Sequence, residues 1–350
     1  MNSLQPKRFL IVRTDKIGDV LLALPVMTNI RLAYKDAFIG FLTREYAKKV
    51  LEGNPDLNEI IFYDPLDKHK GMKGLFRLVN LIKGYKFDKA IIVFPTFKIA
   101  LAIFLARVTV RIGVGYRWYS FLFNKRVYFH RSKVEKHELE YNLELLKPLD
   151  IPIKDKTIKI WLNEEDKKFV GKFFEENKID ISKPVIGIHP GRSVSALNWS
   201  FSNYAKLIDE IYKNFNMQVI LLEGRGEEDI TCAILKNLSC QPVILRGSTD
   251  IRQVTSVISS LSLYISGNTG TMHIAAAVNV PTISFFCPIF VLQPKRWGPW
   301  GNKSVILQPE GLSCKKCKYE KCKHYNCMDK ISVEMVISKI KEGQPPNPLY

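Results

Sequence analysis

The sequence predicts an α/β protein made of two parallel, doubly wound domains in series. Three observations carry this. Short apolar runs of β type alternate with amphipathic segments of helical length, which is the pattern of βαβ units rather than of a meander. The alternation stops at a polar, Pro-containing break near residue 150 and then restarts. The chain has 350 residues, enough for two ordinary domains that each bury a core of their own.

The first domain is placed at residues 1–150. Its strand candidates are RFLIV (8–12), AFIGFLT (37–43), NEIIFYD (58–64), KAIIVF (89–94) and VRIGVG (110–115). The segment GLFRLVNLIKGY (74–85) has helical periodicity, and EKHELEYNLELLKPL (135–149) reads as the closing helix. DIPIKDK (150–156) is the linker candidate. The second domain, 151–330, repeats the pattern with PVIGIHPG (184–191), FSNYAKLIDEIYKNF (201–215), MQVILLEG (217–224), PVILRG (242–247), LSLYISG (261–267), TMHIAAAVN (271–279) and PTISFF (281–286). Residues 331–350 are left as a C-terminal helix and tail. Ligands of such sheets sit beyond the carboxyl ends of the strands, and two such domains in series point to a ligand held in a cleft between them.

A content of 46% hydrophobic and 25% charged residues is that of a globular chain and excludes a disordered or fibrous one. The opening MNSLQPKRFLIV has too short an apolar run for a signal peptide. The longest apolar stretch, IALAIFLARVTV from Ile99, is interrupted by Arg107 and is too short to span a bilayer. A cytoplasmic location is therefore expected.

The net charge is +18 and uneven: residues 1–150 hold 26 Lys and Arg against 15 Asp and Glu, the remainder 26 against 19. From Lys89 to Val134 there is no acid, and Arg111, Arg117, Lys125, Arg126, Arg131 and Lys133 are interleaved with Trp118, Tyr119, Phe121, Phe123, Tyr128 and Phe129. Cations among aromatic rings suit an anionic membrane surface. They also suit single-stranded nucleic acid by stacking, the less favoured partner. A merely basic surface over an aromatic core is the remaining reading.

Three stretches carry chemistry. VRTDKIGDVLLALP (12–25) is a strand, a Gly turn at Gly18 and a buried helix, the layout that often receives a phosphate, yet it places the carboxylate Asp19 at the mouth of the helix. IHPGRSVSALNW (188–199) sets His189, Gly191, Arg192, Ser193 and Ser195 directly after a buried strand, where a Gly lets backbone N–H groups approach an anion and Arg192 adds a forked donor. YISGNTGTMHIAAA ends a strand at Gly267 and opens a helix with Asn268, Thr269, Gly270 and Thr271. Free N–H groups at a helix start make an anion site, and His273, one turn in, can donate to a phosphate or a sugar.

Together with CPIFVLQPKRWGPWG (287–301), these stretches, in this order and over nearly the whole chain, resemble glycosyltransferase family nine, the ADP-heptose:lipopolysaccharide heptosyltransferases. The resemblance implies the GT-B fold, with two Rossmann-like domains facing across a cleft, the acceptor bound mainly by the first and the nucleotide sugar by the second. It implies transfer of heptose from ADP-L-glycero-D-manno-heptose to the inner core of lipopolysaccharide, on lipid A–Kdo or a heptose. Inversion at the anomeric carbon, no metal in catalysis, and peripheral action at the inner face of the cytoplasmic membrane are part of the same implication. Asp19 becomes the general base, and the helix start is expected to favour its ionised form. Gly18, His189, Gly191, Arg192, Ser193, Asn268, Thr269, Gly270, Thr271 and His273 fall on the nucleotide-sugar side. Glu227, with Glu228 as its rival, falls to the nucleoside, and Lys16, Arg117 and Arg296 to the acceptor side.

Two positions depart from the family pattern. Leu197 stands where a Lys or Arg is common, and Asn268 where an Asp reads sugar hydroxyls, so a different nucleotide sugar stays open, as does a protein acceptor. From another class, a non-catalytic basic protein that binds lipid or nucleic acid is the alternative. Finally, CKKCKYEKCKHYNC groups Cys314, Cys317, Cys322 and Cys327, and four thiols this close in a cytoplasmic chain point to a structural Zn or Fe site rather than to disulfides, with unligated thiols as the alternative.

Overall fold

A computed structural model of the protein describes residues 7–191 and 197–343. The chain divides into two compact units, Met1–Arg131 with Lys136–Trp161, and Ser132–Glu135 with Leu162–Tyr350. The first contains β1 (Arg8–Val12), β2 (Phe38–Thr43), β3 (Glu59–Phe62), β4 (Lys89–Ile92), β5 (Val110–Val114) and β6 (Lys125–Val127). The second contains β7 (Val185–His189), β8 (Gln218–Leu222), β9 (Val243–Leu245), β10 (Leu263–Gly267), β11 (Thr282–Phe285) and β12 (Ser304–Leu307).

The sheet orders are β3-β2-β1-β4-β5-β6 and β12-β11-β10-β7-β8-β9, every pairing parallel. Counted from the first strand of each unit the two orders are the same, that of a dinucleotide-binding sheet. The strand order reverses between β1 and β4 in one unit and between β7 and β10 in the other. At such a switch point the loops leaving two neighbouring strands diverge to opposite faces and open a crevice at the carboxyl edge.

The central strands are buried on both faces, which is why they read as unbroken apolar runs: Phe9, Leu10, Ile11 and Val12 are fully inaccessible. The helix Gly71–Gly84 buries Leu75, Leu78, Val79 and Ile82 at three- and four-residue spacing, one stripe against the sheet. The helix Phe201–Asn214 does the same with Tyr204, Leu207, Ile208 and Ile211, and Ser200 caps its start by accepting from Asn203 N. Trp199, just before it, donates from Nε1 to the Ile331 carbonyl at 2.7 Å and packs its ring on Tyr204 and Phe285.

Several sequence expectations shift here. The closing helix of the first domain is a six-residue α-helix, Glu138–Leu143, continued by a 3-10 segment, Glu144–Leu149. Pro148 lacks the N–H an α-turn needs, and Asp150 is left-handed at φ 54. The proposed linker is not loose: Asn29 accepts from Lys154 N and Asp155 N and donates to the Asp155 carbonyl, holding 154–155 on the first unit. The first compact unit accordingly extends to Trp161. β6 and β12 were not among the expected strands: both are short edge strands, β6 (KRV) without an apolar run and β12 (SVIL) with a run of only three apolar residues.

Candidate active site

At the carboxyl edge of β1 the chain turns through Asp15 into a five-residue helix, Ile17–Leu21, and Asp19 lies in its first turn. The centre of the site is Arg13, the residue after β1, only 2% exposed. Its Nε donates to Asp15 Oδ1 at 2.7 Å, Nη1 to Glu138 Oε1 at 3.3 Å and Asn142 Oδ1 at 3.2 Å, and Nη2 to Asp19 Oδ1. Arg131 pairs with the same Glu138 oxygen at 3.0 Å and reaches Asn142 Oδ1 at 3.2 Å. Asn142 in turn donates to the Leu22 carbonyl at 3.0 Å, tying the network back to the Asp19 segment.

Two guanidiniums and three carboxylates share this volume, so each charge is partly compensated, as a buried charge must be. Burial works against the Arg13 charge, but Asp19, Asp15 and Glu138 more than offset it and raise its pKa. Asp19, with a side chain 13% exposed, is pushed up to about 6, chiefly by burial. Arg13 pulls it down, while the negative charges of Asp15 and Glu138 push it further up. This corrects the expectation that the helix start favours the ionised carboxylate: a five-residue helix has little dipole, and desolvation wins. Asp19 is still mainly ionised at neutral pH, a carboxylate with the basicity a proton acceptor needs.

In the second unit the switch point brings together the loops after β7 and β10, because Ser266 sits beside His189 in register. His189 Nδ1 lies 3.0 Å from Thr271 Oγ1 and 3.5 Å from Thr269 Oγ1, and its Nε2 is 3.1 Å from Glu227 Oε2. Gly191 permits this: a Cβ there would lie 2.5 Å from the imidazole Cε1. Glu227 also accepts from Gly224 N at 3.0 Å. Thr269 is the N-cap of the helix Gly270–Ala277 but makes no side-chain cap; its hydroxyl meets Thr271 Oγ1 at 2.9 Å instead. The Thr269 side chain therefore accepts from none of the first-turn N–H groups of that helix.

Of the residues singled out in the sequence, His189, Gly191, Glu227, Thr269, Gly270 and Thr271 converge around this imidazole, with Asn268 beside them. His273 is buried in the first turn of the helix. Glu227 is turned inward onto His189 and Gly224, while its rival Glu228 begins the helix Glu228–Leu235. Gly18 is buried in the Asp19 helix and Lys16 is its exposed N-cap. Arg117 is exposed in the loop after β5, and Arg296 lies in the second unit on the short helix Pro294–Trp297, its guanidinium 4.6 Å from the Trp297 ring centre. Arg192 and Ser193 lie outside the described residues. Leu197 packs partly buried against the second core, which accounts for an apolar residue there.

The expected metal site finds no support in the structure. Among the described residues no group of three or more His, Cys, Asp or Glu is placed to hold a metal ion. None of Cys314, Cys317, Cys322 and Cys327 is in a disulfide. Burial, with the neighbouring Cys314, Cys317, Cys287 and Cys322, pushes Cys327 up to about 11, and burial also raises Cys287.

Sequence reasoning missed Arg13 and Glu138. Arg13 adjoins the recognised motif, and a basic residue closing a buried strand was a usable signal. Glu138 arrives from 125 residues away, a proximity no local pattern encodes. Glu223, buried at the end of β8 and accepting from Gly247 N at 3.1 Å, was missed as well.

Residues 75–328 match the profile of glycosyltransferase family 9 (heptosyltransferase). The chain is 25% identical to a lipopolysaccharide core heptosyltransferase, OpsX, of Haemophilus influenzae, over 96% of this chain and 97% of that one. Among solved structures, the glycosyl transferase family 9 protein of Veillonella parvula superposes with a TM-score of 0.84 at 20% identity, covering 96% of each chain. The Escherichia coli ADP-heptose lps heptosyltransferase II gives 0.78 at 18% identity, covering 96% of this chain and 98% of that one. Two parallel six-stranded sheets in this arrangement are the GT-B fold. With well over half its length matched by the family profile, the chain belongs to glycosyltransferase family 9, the heptosyltransferase family.

Proposed function

We propose that the protein transfers heptose from ADP-L-glycero-D-manno-heptose to the inner core of lipopolysaccharide, with inversion and with Asp19 as general base. The observation that carries this reading is a carboxylate at the carboxyl edge of β1, raised to about 6 and oriented by Arg13. In the reaction, the acceptor hydroxyl oxygen bonds to the anomeric carbon from the face opposite the leaving group. The bond from that carbon to the diphosphate oxygen breaks with its electron pair, ADP departs, and the hydroxyl proton passes to Asp19. The diphosphate is assigned to the second unit, where Thr269 does not cap the start of Gly270–Ala277 with its side chain and N–H groups at a helix start can receive an anion. Catalysis on this reading needs no metal.

The donor class comes from family membership and from relatives whose names specify heptose or ADP-heptose. An acceptor anchored in lipid places the protein at the inner face of the cytoplasmic membrane; no helix among the described residues is long and apolar enough to cross one. One observation favours a second donor: Asn268 offers both a donor and an acceptor where a carboxylate would only accept, which suits another nucleotide-linked sugar.

Thermal-shift measurements with ADP, UDP, GDP and CMP, each with and without a sugar, separate these readings, because a ligand of the native state raises the melting temperature. Stabilisation by ADP, and further by ADP-heptose, is the expected result, followed by turnover on a lipid A–Kdo acceptor. A preference for UDP or GDP transfers the reaction to another donor, and no response to any nucleotide defeats the transferase reading.

A further inference from the structure

In the second unit a single hydrogen-bonded chain joins the loops after β7, β8 and β10. It runs from Glu227 Oε2 through both imidazole nitrogens of His189 to Thr271 Oγ1 and Thr269 Oγ1. Two glycines make room for its inner end. A Cβ on Gly224 would lie 2.3 Å from Glu227 Oε2, and one on Gly191 2.5 Å from the imidazole Cε1. His189 is buried, whereas Thr269 and Thr271 are half-buried at the start of the helix Gly270–Ala277. The chain thus leads from a buried carboxylate pair outward to the helix start.

Counting protons fixes the direction of each link. Glu227 Oε2 accepts from Gly224 N at 3.0 Å and, as a carboxylate, accepts again from His189 Nε2 at 3.1 Å, so Nε2 carries a proton. In the neutral ring Nδ1 is then a bare lone pair, and Thr271 turns its one hydroxyl proton toward it across 3.0 Å. Thr269 follows by donating to Thr271 Oγ1 at 2.9 Å. Both hydroxyl protons point inward, and the outer end of the chain can only accept. A proton on Nδ1 reverses every link: the imidazolium donates to Thr271, Thr271 to Thr269, and Thr269 outward. The groups facing the ring allow this. Glu227 favours the charged imidazole. The Tyr264 phenol beside Thr271 and the Tyr204 phenol near Glu227 are both raised by burial and stay neutral.

We infer that His189 is a positioning residue that takes up a proton at Nδ1 when a diphosphate binds, turning Thr271 and Thr269 into donors aimed at that ligand. Phosphate oxygens only accept, so they repel the inward direction, in which they meet hydroxyl lone pairs, and stabilise the outward one. The proton comes from solvent, and no covalent bond to the ligand is made. During transfer, cleavage of the bond to the anomeric carbon leaves one more negative charge on the diphosphate. The outward direction therefore favours the departing diphosphate over the intact sugar diphosphate, which is the difference that accelerates the step. The inference deepens the proposed function and rests on it only for the ligand's being a diphosphate at this helix start.

The test is heteronuclear NMR of the full-length protein isotopically labelled at histidine nitrogen, at about pH 8, where an ordinary imidazole is neutral. His189→Gln identifies the His189 signals by their loss. In the free protein Nε2 is expected to carry the proton and Nδ1 to be bare. Saturating inorganic pyrophosphate, and ADP in a separate sample, should move Nδ1 to the imidazolium position. Thr269→Val keeps the branched shape and removes the outer link, so Nδ1 should stay bare and pyrophosphate should bind roughly tenfold more weakly. A free protein with its proton on Nδ1 overturns the inference. So does ligand binding that leaves Nδ1 bare in the parent, protonation that persists in Thr269→Val, or binding of neither ligand. ADP bound with Nδ1 bare removes this role and leaves the transferase reading standing, whereas protonation by pyrophosphate with no response to ADP does the reverse.

Discussion

Arg13 holds Asp19 through one terminal guanidinium nitrogen and Glu138 through the other. The candidate base and a residue 119 positions further along the chain are thereby coupled through one buried cation. That coupling determines how Asp19 titrates and what each residue around it is expected to do.

Asp19→Asn keeps the size and one acceptor oxygen but cannot take a proton. Turnover is expected to fall by about 10²–10⁴-fold. Because Asp15 and Glu138 still pair with Arg13, the fold should persist, and nucleotide affinity, which the proposed function assigns to the second unit, should stay within about threefold. Steady-state rates and ADP titration on the same sample check both halves, and retained turnover removes Asp19 from the mechanism.

The pH profile gives a second measurement. A base titrating at about 6 is protonated below that value and cannot accept the acceptor proton. The rate kcat/KM should therefore rise with pH to a plateau, with an acid limb near 6. Glu138 raises the Asp19 pKa, so Glu138→Gln should move the limb to lower pH. An unmoved limb would mean that Glu138 acts only on structure.

Arg13→Met leaves Asp15, Asp19 and Glu138 facing one another without their shared cation. Breaking a buried ion pair from one side costs about 3–5 kcal/mol, so the midpoint of urea unfolding should drop sharply. In any material that remains folded, the acid limb should move up, since Arg13 is the group that lowers the Asp19 pKa.

Trp199→Phe keeps the aromatic packing against Tyr204 and Phe285 but removes the 2.7 Å bond to the Ile331 carbonyl. Loss of a buried partner costs about 1–3 kcal/mol. Equilibrium unfolding should show it, with nucleotide binding unchanged if Trp199 serves the core rather than the ligand.

Much of the fold was legible from local pattern alone. The central strands are buried on both faces, and a doubly covered strand announces itself as a short apolar run between Gly, Asn or Pro. Edge strands such as β6 carry charge on their outer side and give no such signal. The short stretches that hold Asp19, His189 and Thr269–Thr271 were also visible, since each follows a buried strand and a loop there must point toward the carboxyl edge.

By itself the sequence determined the two-unit α/β architecture, the basic face and the motifs of the family. Only the tertiary structure decided the chemistry of those motifs. Glu138 reaches Arg13 across the fold, and the burial that results pushes Asp19 up instead of down. Glu227 turns inward to His189. The clustered cysteines come close enough that Cys314, Cys317 and Cys322 raise the Cys327 pKa. The physical reason is common to all three: secondary structure follows from neighbours in sequence, whereas a protonation state or a ligand set depends on desolvation and on charges that folding brings in from distant parts of the chain.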